Sequence, residues 1–239
     1  MLVYLLVASI QVSILLRKIG QRMKRLRNIN LFKRVTLILF ALGITFIIAL
    51  QLFLTISGLG ISVLDIWAQT LPQDDPIDIA YRDSYLVEPK SYFEKQERGQ
   101  CAGFSSAYLL RILGNQVSGG EAYQRLGHKF SNGYVMPQAL LDLFGEYNYK
   151  AVMFHGELEH LKTRLNQGDP VIVLIGHFIK WQHYVTFVGY DEEHIFLYDS
   201  NRDTDNSKGY NRVITNAEFL SQWKNEIPLF EQIYFVVSE

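Results

Sequence analysis

The hydrophobic and polar positions divide the chain into two regimes. Val35 to Leu64 contains no charged residue and is dominated by Leu, Ile, Phe and Val; at about 1.5 Å per helical residue, roughly 20 such residues cross a bilayer. The run over 35–64 therefore reads as a transmembrane helix. Met1 to Leu16 is also uncharged, but a helix of about 24 Å makes 1–16 marginal as a first span. Beyond Asp65 the pattern changes to short segments at helical or strand spacing, separated by Gly, Pro, Asn and Asp. Leu71 to Pro76 holds two prolines and two aspartates, so 65–76 reads as a linker and 77–239 as the folded domain.

Within that domain, Cys101 to Leu113 places Phe104, Ala107, Tyr108 and Ile112 at helical spacing and stops at Gly114. Glu121 to Leu126 and Pro137 to Phe144 predict two further helices, with Pro137 suited to a first helical position. Tyr149 to Phe154 predicts a strand, and Leu158 to Leu165 a helix closed by Gly168. The unbroken apolar run Val171 to Ile175 is that of a central strand. His183 to Tyr190 and His194 to Tyr198, separated by Asp191, Glu192 and Glu193, predict a hairpin. Asn216 is the expected N-cap of a helix through Trp223, and Ile233 to Val237 is the last strand. Helices first and an antiparallel sheet afterwards is an α+β layout.

Charge sets the orientation. Arg17 to Arg34 carries Arg17, Lys18, Arg22, Lys24, Arg25, Arg27, Lys33 and Arg34 and no acid, which marks 17–34 as a cytoplasmic loop and sends everything after residue 64 across the membrane. A basic arm for nucleic acid is the other reading of such a cluster, but apolar runs on both sides speak against it. A start at Met23 with cleavage after Ala68 is an alternative; Ile66, Trp67 and Ala68 make a poor cleavage site, so a retained anchor is favoured. Setting aside those eight basic residues and Asp65 leaves 15 basic and 23 acidic residues, net −8, for 69–239. A domain of that charge has no call on nucleic acid. Membrane lipid is the expected partner of the N-terminal helices, and a membrane protein packed against them is a further candidate.

The chain has a single cysteine, so no internal disulfide framework exists, and an unpaired thiol in an exported protein is either a small buried hydrophobe or a working nucleophile. A thiol nucleophile needs stabilisation of its thiolate, a base, a group that orients the base, and donors for an oxyanion. Cys101 at a helix start meets the first need, and Gly99 lets the backbone bend there. For the base, the hairpin singles out His183 among six histidines. A three-residue loop Asp191–Glu193 would set Val185 opposite Asp199, with His183 on the same face roughly 7 Å from Asp199; a two-residue loop would put the pair on opposite faces. His183 is thus the candidate general base, Asp199 its orienting group, and Gln96 a side-chain donor to the oxyanion, with Gln100 as its competitor. His177 is a candidate cleft-wall residue. His128, His155, His160 and His194 read as surface or loop residues, and scattered histidines with one cysteine lack metal-ligand spacing. Neither metal nor cofactor is expected.

These residues resemble a known family. Gln96, four intervening residues, Cys101 and the small-residue run Ala102-Gly103-Phe104-Ser105-Ser106-Ala107 resemble the start of the bacteriocin-leader-processing peptidases, cysteine peptidase family 39. His183 to Asp191 followed by Ile195 to Ser200 resembles that family's histidine and aspartate strands, and Leu161 to Ile175 is similar too. The resemblance implies a papain-like fold and thiol peptidase activity on a peptide or protein substrate, with Cys101, His183 and Asp199 as triad and Gln96 in the oxyanion hole. Three positions depart from the family pattern: Ala102 stands where glycine is common, Gln100 where an acidic or similar polar residue is, and Ser200 where proline often follows the aspartate. With no transporter core or ATPase after the domain, processing of double-glycine leaders is not implied. The other functions weighed are a cell-envelope amidase or acyltransferase on the same triad, and an inactive peptide-binding relative.

Overall fold

In the computed structural model, residues 31–88, 91–168, 170–178 and 180–238 are described; the segment 1–16, most of the basic loop 17–34 and the alternative start at Met23 lie outside them. The chain divides into two compact units, one ending at Ile56 and one spanning Ser57–Glu239.

Helix α1 (Leu31–Ile56) belongs to the first unit. It begins earlier and ends sooner than the uncharged run: Lys33 and Arg34 lie in its opening turns, and Gly58 follows at φ 67°, a left-handed conformation glycine adopts without strain. Phe32–Ile56 is 25 residues long and apolar enough to cross a membrane. The hydroxyls of Thr36, Thr45 and Thr55 donate to the carbonyls of Phe32, Ala41 and Gln51 one turn back. Those polar groups are thereby satisfied within the helix, as an apolar solvent requires.

The stretch expected to be a linker is instead built into the second unit. Ser62 caps a five-residue helix, α2 (Val63–Trp67), through a capping box with Asp65. The same Asp65 carboxylate accepts from His128 at 2.7 Å. Gln69 accepts from the backbone N–H of Gln138, and the Gln138 side chain accepts from Thr70 N–H. β1 (Gln73–Asp74) pairs with a sheet strand, and next to it Asp75 is buried against Arg164 and the Tyr234 hydroxyl. The polar residues that read as a linker are polar because they bond into the domain.

The remaining elements are β2 (Tyr85–Leu86), α3 (Cys101–Ile112), α4 (Gly119–Arg125), α5 (Gln138–Glu146), β3 (Lys150–His155), α6 (Leu158–Asn166), β4 (Val171–His177), β5 (Trp181–Tyr190), β6 (His194–Tyr198), β7 (Arg212–Thr215), α7 (Asn216–Trp223) and β8 (Ile233–Ser238). The sheet runs β1-β3-β8-β4-β5-β6-β7, with β2 added onto β5. All pairings are antiparallel except β1 with β3. One core packs α3 and α5 against Ile172, Leu174, Tyr184 and Phe235; a second packs α6 and α7 against Val171, Val173, Val185 and Phe187. Helices therefore cover both faces of the sheet, not one, which is why β4 reads as an unbroken apolar run. The helix at 216–223 is capped by Thr215, whose hydroxyl accepts from Glu218 N–H; Asn216 is its first residue.

The hairpin differs from expectation in an informative way. Asp191 N–H donates to the His194 carbonyl and Tyr190 pairs with Ile195, so Glu192 and Glu193 alone make the turn. That shorter turn carries the parity that would separate His183 from Asp199. A bulge at Val188, between the Gly189–Phe196 and Phe187–Leu197 pairs, inserts one residue and reverses it. Past the bulge Thr186 pairs with Tyr198, and the next step of that register sets Val185 opposite Asp199.

Candidate active site

Cys101 is the first residue of α3, whose first ten residues are all buried. Gln100 takes the N-cap position but makes no side-chain cap, so the helix start and its partial positive charge are left facing the sulfur. The approach to the helix depends on Gly99, at φ 82°; a Cβ there would also lie 3.0 Å from the Asn132 carbonyl oxygen. Ser105, one turn after Cys101 on the same side of the helix, donates to the Tyr184 carbonyl at 3.1 Å. That bond docks α3 on β5 beside His183.

His183 Nε2 is 2.7 Å from Asp199 Oδ1, and Cys101 lines the same cleft, near enough for its charge to act on the His183 ring. With Nε2 committed to the carboxylate, Nδ1 is the nitrogen left for the thiol. Burial of the ring disfavours its charge, but the adjacent sulfur and carboxylate outweigh that and hold the imidazolium up to about 10. Asp199 is itself buried, which pushes its carboxyl up; its bonds to His183 and the Asn201 N–H, with the charge of Arg212, overcome this and hold it down at about 2. Arg212 Nη1 is 3.1 Å from Asp199 Oδ2, and its Nη2 donates to Gln222. The Asn211 side chain brackets the Asp199 backbone, accepting from its N–H and donating to its carbonyl.

Gln96 is placed by the aromatic cluster behind it. Phe93 stacks on Tyr198 with ring centroids 4.6 Å apart, and Tyr108 packs on both rings. The Tyr198 hydroxyl donates to the Glu94 carbonyl, and Gln96 N–H donates to the Ser200 carbonyl at 2.8 Å. The Ser200 hydroxyl then donates to Gln96 Oε1 at 2.7 Å, which ties down the amide oxygen. Gln96, Cys101, His183 and Asp199 all line one cleft of about 610 Å³; Gln100 does not line it.

Other histidines are accounted for elsewhere. His177 packs edge-on against Trp181 and bridges to Asn225 but does not line the cleft, contrary to the expectation of a wall residue. His128 joins Asp65 to Asp142, His155 meets Asp74, His194 meets Asp191, and His160 caps the start of α6. Among the described residues no group of His, Cys, Asp and Glu could hold a metal ion.

Sequence reasoning missed Arg212 and Asn211 because β7 has four residues of which only two are apolar, too few for a periodic signal. Ser200 was visible only as a departure from the usual proline.

A buried thiol at a helix start, in one cleft with an imidazole and a carboxylate on an α+β frame, is an arrangement of the cysteine peptidase kind. The chain matches the model of the Peptidase_C39 like family over residues 88–226, and belongs to that family. Among solved structures, a protein described as a C39-like peptidase from Bacillus anthracis superposes with a TM-score of 0.53 at 17% identity, covering 64% of this chain and 98% of that one. The peptidase domain of Streptococcus ComA gives a TM-score of 0.49 at 11% identity, over 62% of this chain and 98% of its own. No curated protein matches by sequence.

Proposed function

We propose that the chain is a membrane-anchored, extracytoplasmic peptidase working through a Cys101–His183–Asp199 triad. The observation that carries this reading is the 2.7 Å bond between His183 and Asp199 in the cleft that Cys101 also lines. The thiol passes its proton to His183 Nδ1 and the sulfur attacks the scissile carbonyl carbon. The Gln96 NH₂ group and the Cys101 N–H stabilise the oxyanion. His183 gives its proton to the departing amine, leaving a thioester, and then removes a proton from the water that hydrolyses it. Asp199 keeps the Nε2 proton in place and stabilises the imidazolium.

Anchoring rests on the length and apolarity of α1, and the orientation on the basic residues that precede it. Two experiments test the reading. Cys101→Ala and His183→Ala should each abolish peptide hydrolysis, and iodoacetamide should label the wild-type thiol faster than free cysteine near neutral pH; a labelling rate indifferent to His183→Ala argues against catalysis. Protease added to intact cells should digest 57–239 and spare the 17–34 segment, and the reverse pattern would invert the topology.

A further inference from the structure

The active-site cleft carries a charge opposite to that of its domain. Three arginines, Arg98, Arg202 and Arg212, line it, and Asp199 is the single carboxylate among the lining residues. That carboxylate is committed to His183 and Arg212. Arg212 is inward-facing, its side chain 12% exposed, so it serves Asp199. The other two face solvent. Arg98 is exposed and has no ion-pair partner among the described residues. The Arg202 side chain is 58% exposed, with Nε at 3.9 Å from Asp199, beyond hydrogen-bond reach. The rest of the lining is polar or aromatic, with Asn132, Asn201, Tyr134 and Trp181. Nothing in it offers the deep apolar pocket that selects a bulky aliphatic side chain.

Two solvent-facing guanidiniums, Arg98 with no ion pair among the described residues and Arg202 in a long contact with Asp199, form a focused positive site in an otherwise acidic domain, and a guanidinium matches a carboxylate in two-point geometry. We propose that the cleft selects peptides carrying Asp or Glu within a few residues of the bond cleaved, with Arg98 and Arg202 as the recognising groups. The substrate class is named on the premise that this cleft is the peptidase site. A basic or neutral segment gains nothing from the pair, so the discrimination is electrostatic and shrinks with salt.

The test separates binding from turnover. The full-length Cys101→Ser variant in a zwitterionic detergent is titrated with fluorescent peptides identical except for Glu, Gln or Lys at the varied positions. The Glu peptide should bind roughly tenfold tighter than the Gln peptide, the Lys peptide weakest, with the spread narrowing at high salt. Arg98→Glu combined with Arg202→Glu should invert the order, and the milder Arg98→Gln with Arg202→Gln should flatten it, each variant melting as its parent does. Equal affinity for the three peptides, no binding of any, or an order unmoved by charge reversal overturns the proposal. The Cys101 enzyme is assayed in parallel on the same peptides. Acid-selective binding without cleavage would count against the peptidase reading alone; cleavage without charge preference would count against the selectivity alone.

Discussion

The protonation of one ring is the residue-scale quantity that sets the pH range of this site. In the proposed mechanism His183 works as an imidazolium beside a sulfur anion, and the sulfur and carboxylate around the ring hold its proton up to about 10. The alkaline limb of kcat/KM is therefore expected close to that value. Asp199→Asn removes the hydrogen-bonding and coulombic support, so the limb should move down toward the ordinary imidazole range, with kcat/KM falling at least about a hundredfold. A pH profile of the variant that keeps its alkaline limb in place would show that Asp199 does not support the charge. The departure at Ser200 is testable at the same scale. If its hydroxyl aims the Gln96 amide, Ser200→Ala lowers kcat by about tenfold with little change in KM, while Gln96→Ala costs roughly 10²- to 10³-fold. The double variant should be no worse than Gln96→Ala alone, because Ser200 acts through Gln96; additive losses would give Ser200 a separate role.

At the scale of elements, the thiol is placed by how closely α3 can approach its neighbours. A Cβ on Gly103 would lie 2.5 Å from the Tyr123 backbone in α4, and one on Gly119 2.4 Å from the Phe104 ring. Gly103 lets α3 lie directly on the α4 backbone, and Gly119 leaves room in α4 for the Phe104 ring. Gly103→Ala should destabilise the protein by roughly 1–3 kcal/mol through overpacking, read as a lower melting temperature, with reduced thiol reactivity as α3 shifts. Element identity was largely legible: α3, α5, β3, α6, β4, β6 and β8 fall within a few residues of the periodic segments. The two-residue strands β1 and β2, the short α2 and the four-residue β7 were not, because too few apolar positions recur for a period to show. The hairpin is the sharper case. His183 and Asp199 do meet, but through a two-residue turn and a bulge, two changes of parity that cancel. A bulge is a backbone event without a distinctive residue at Val188, so pattern reading could reach the juxtaposition and miss its cause.

On the scale of the whole molecule, the decisive correction is where the domain begins. Asp75, buried with Arg164 and Tyr234, ties the residues after α1 to α6 and β8. Its burial opposes ionisation, but Arg164 and Tyr234 more than compensate and hold the carboxyl below the usual range. A fragment starting at Ile77 should therefore be less stable than one starting at Ser57, and Asp75→Ala should cost about 1–3 kcal/mol by removing the buried carboxylate that Arg164 and the Tyr234 hydroxyl share. Asp75 and Asp199 are both depressed, so their contribution is complete above the ordinary carboxylate range and is lost as pH falls through their lowered values. His183 is raised, so its contribution is complete below about 6.5 and disappears as pH climbs toward about 10. Melting temperature plotted against pH should thus decline on both sides of a plateau between about 4 and 6.5.

From composition and period alone came the apolar N-terminal helix, the order of helices before strands, the solitary thiol at a helix start, and the short list of groups able to act with it. Those properties are local, carried by residues within one or two turns or along a single strand. Tertiary structure decided what local pattern cannot encode. It covered both faces of the sheet, drew residues 57–76 into the domain, corrected the hairpin register with a bulge, and brought Arg212 and Ser200 to Asp199 and Gln96. Each of these depends on contacts between segments distant in sequence, where burial and the pairing of polar groups, not periodicity, set the outcome.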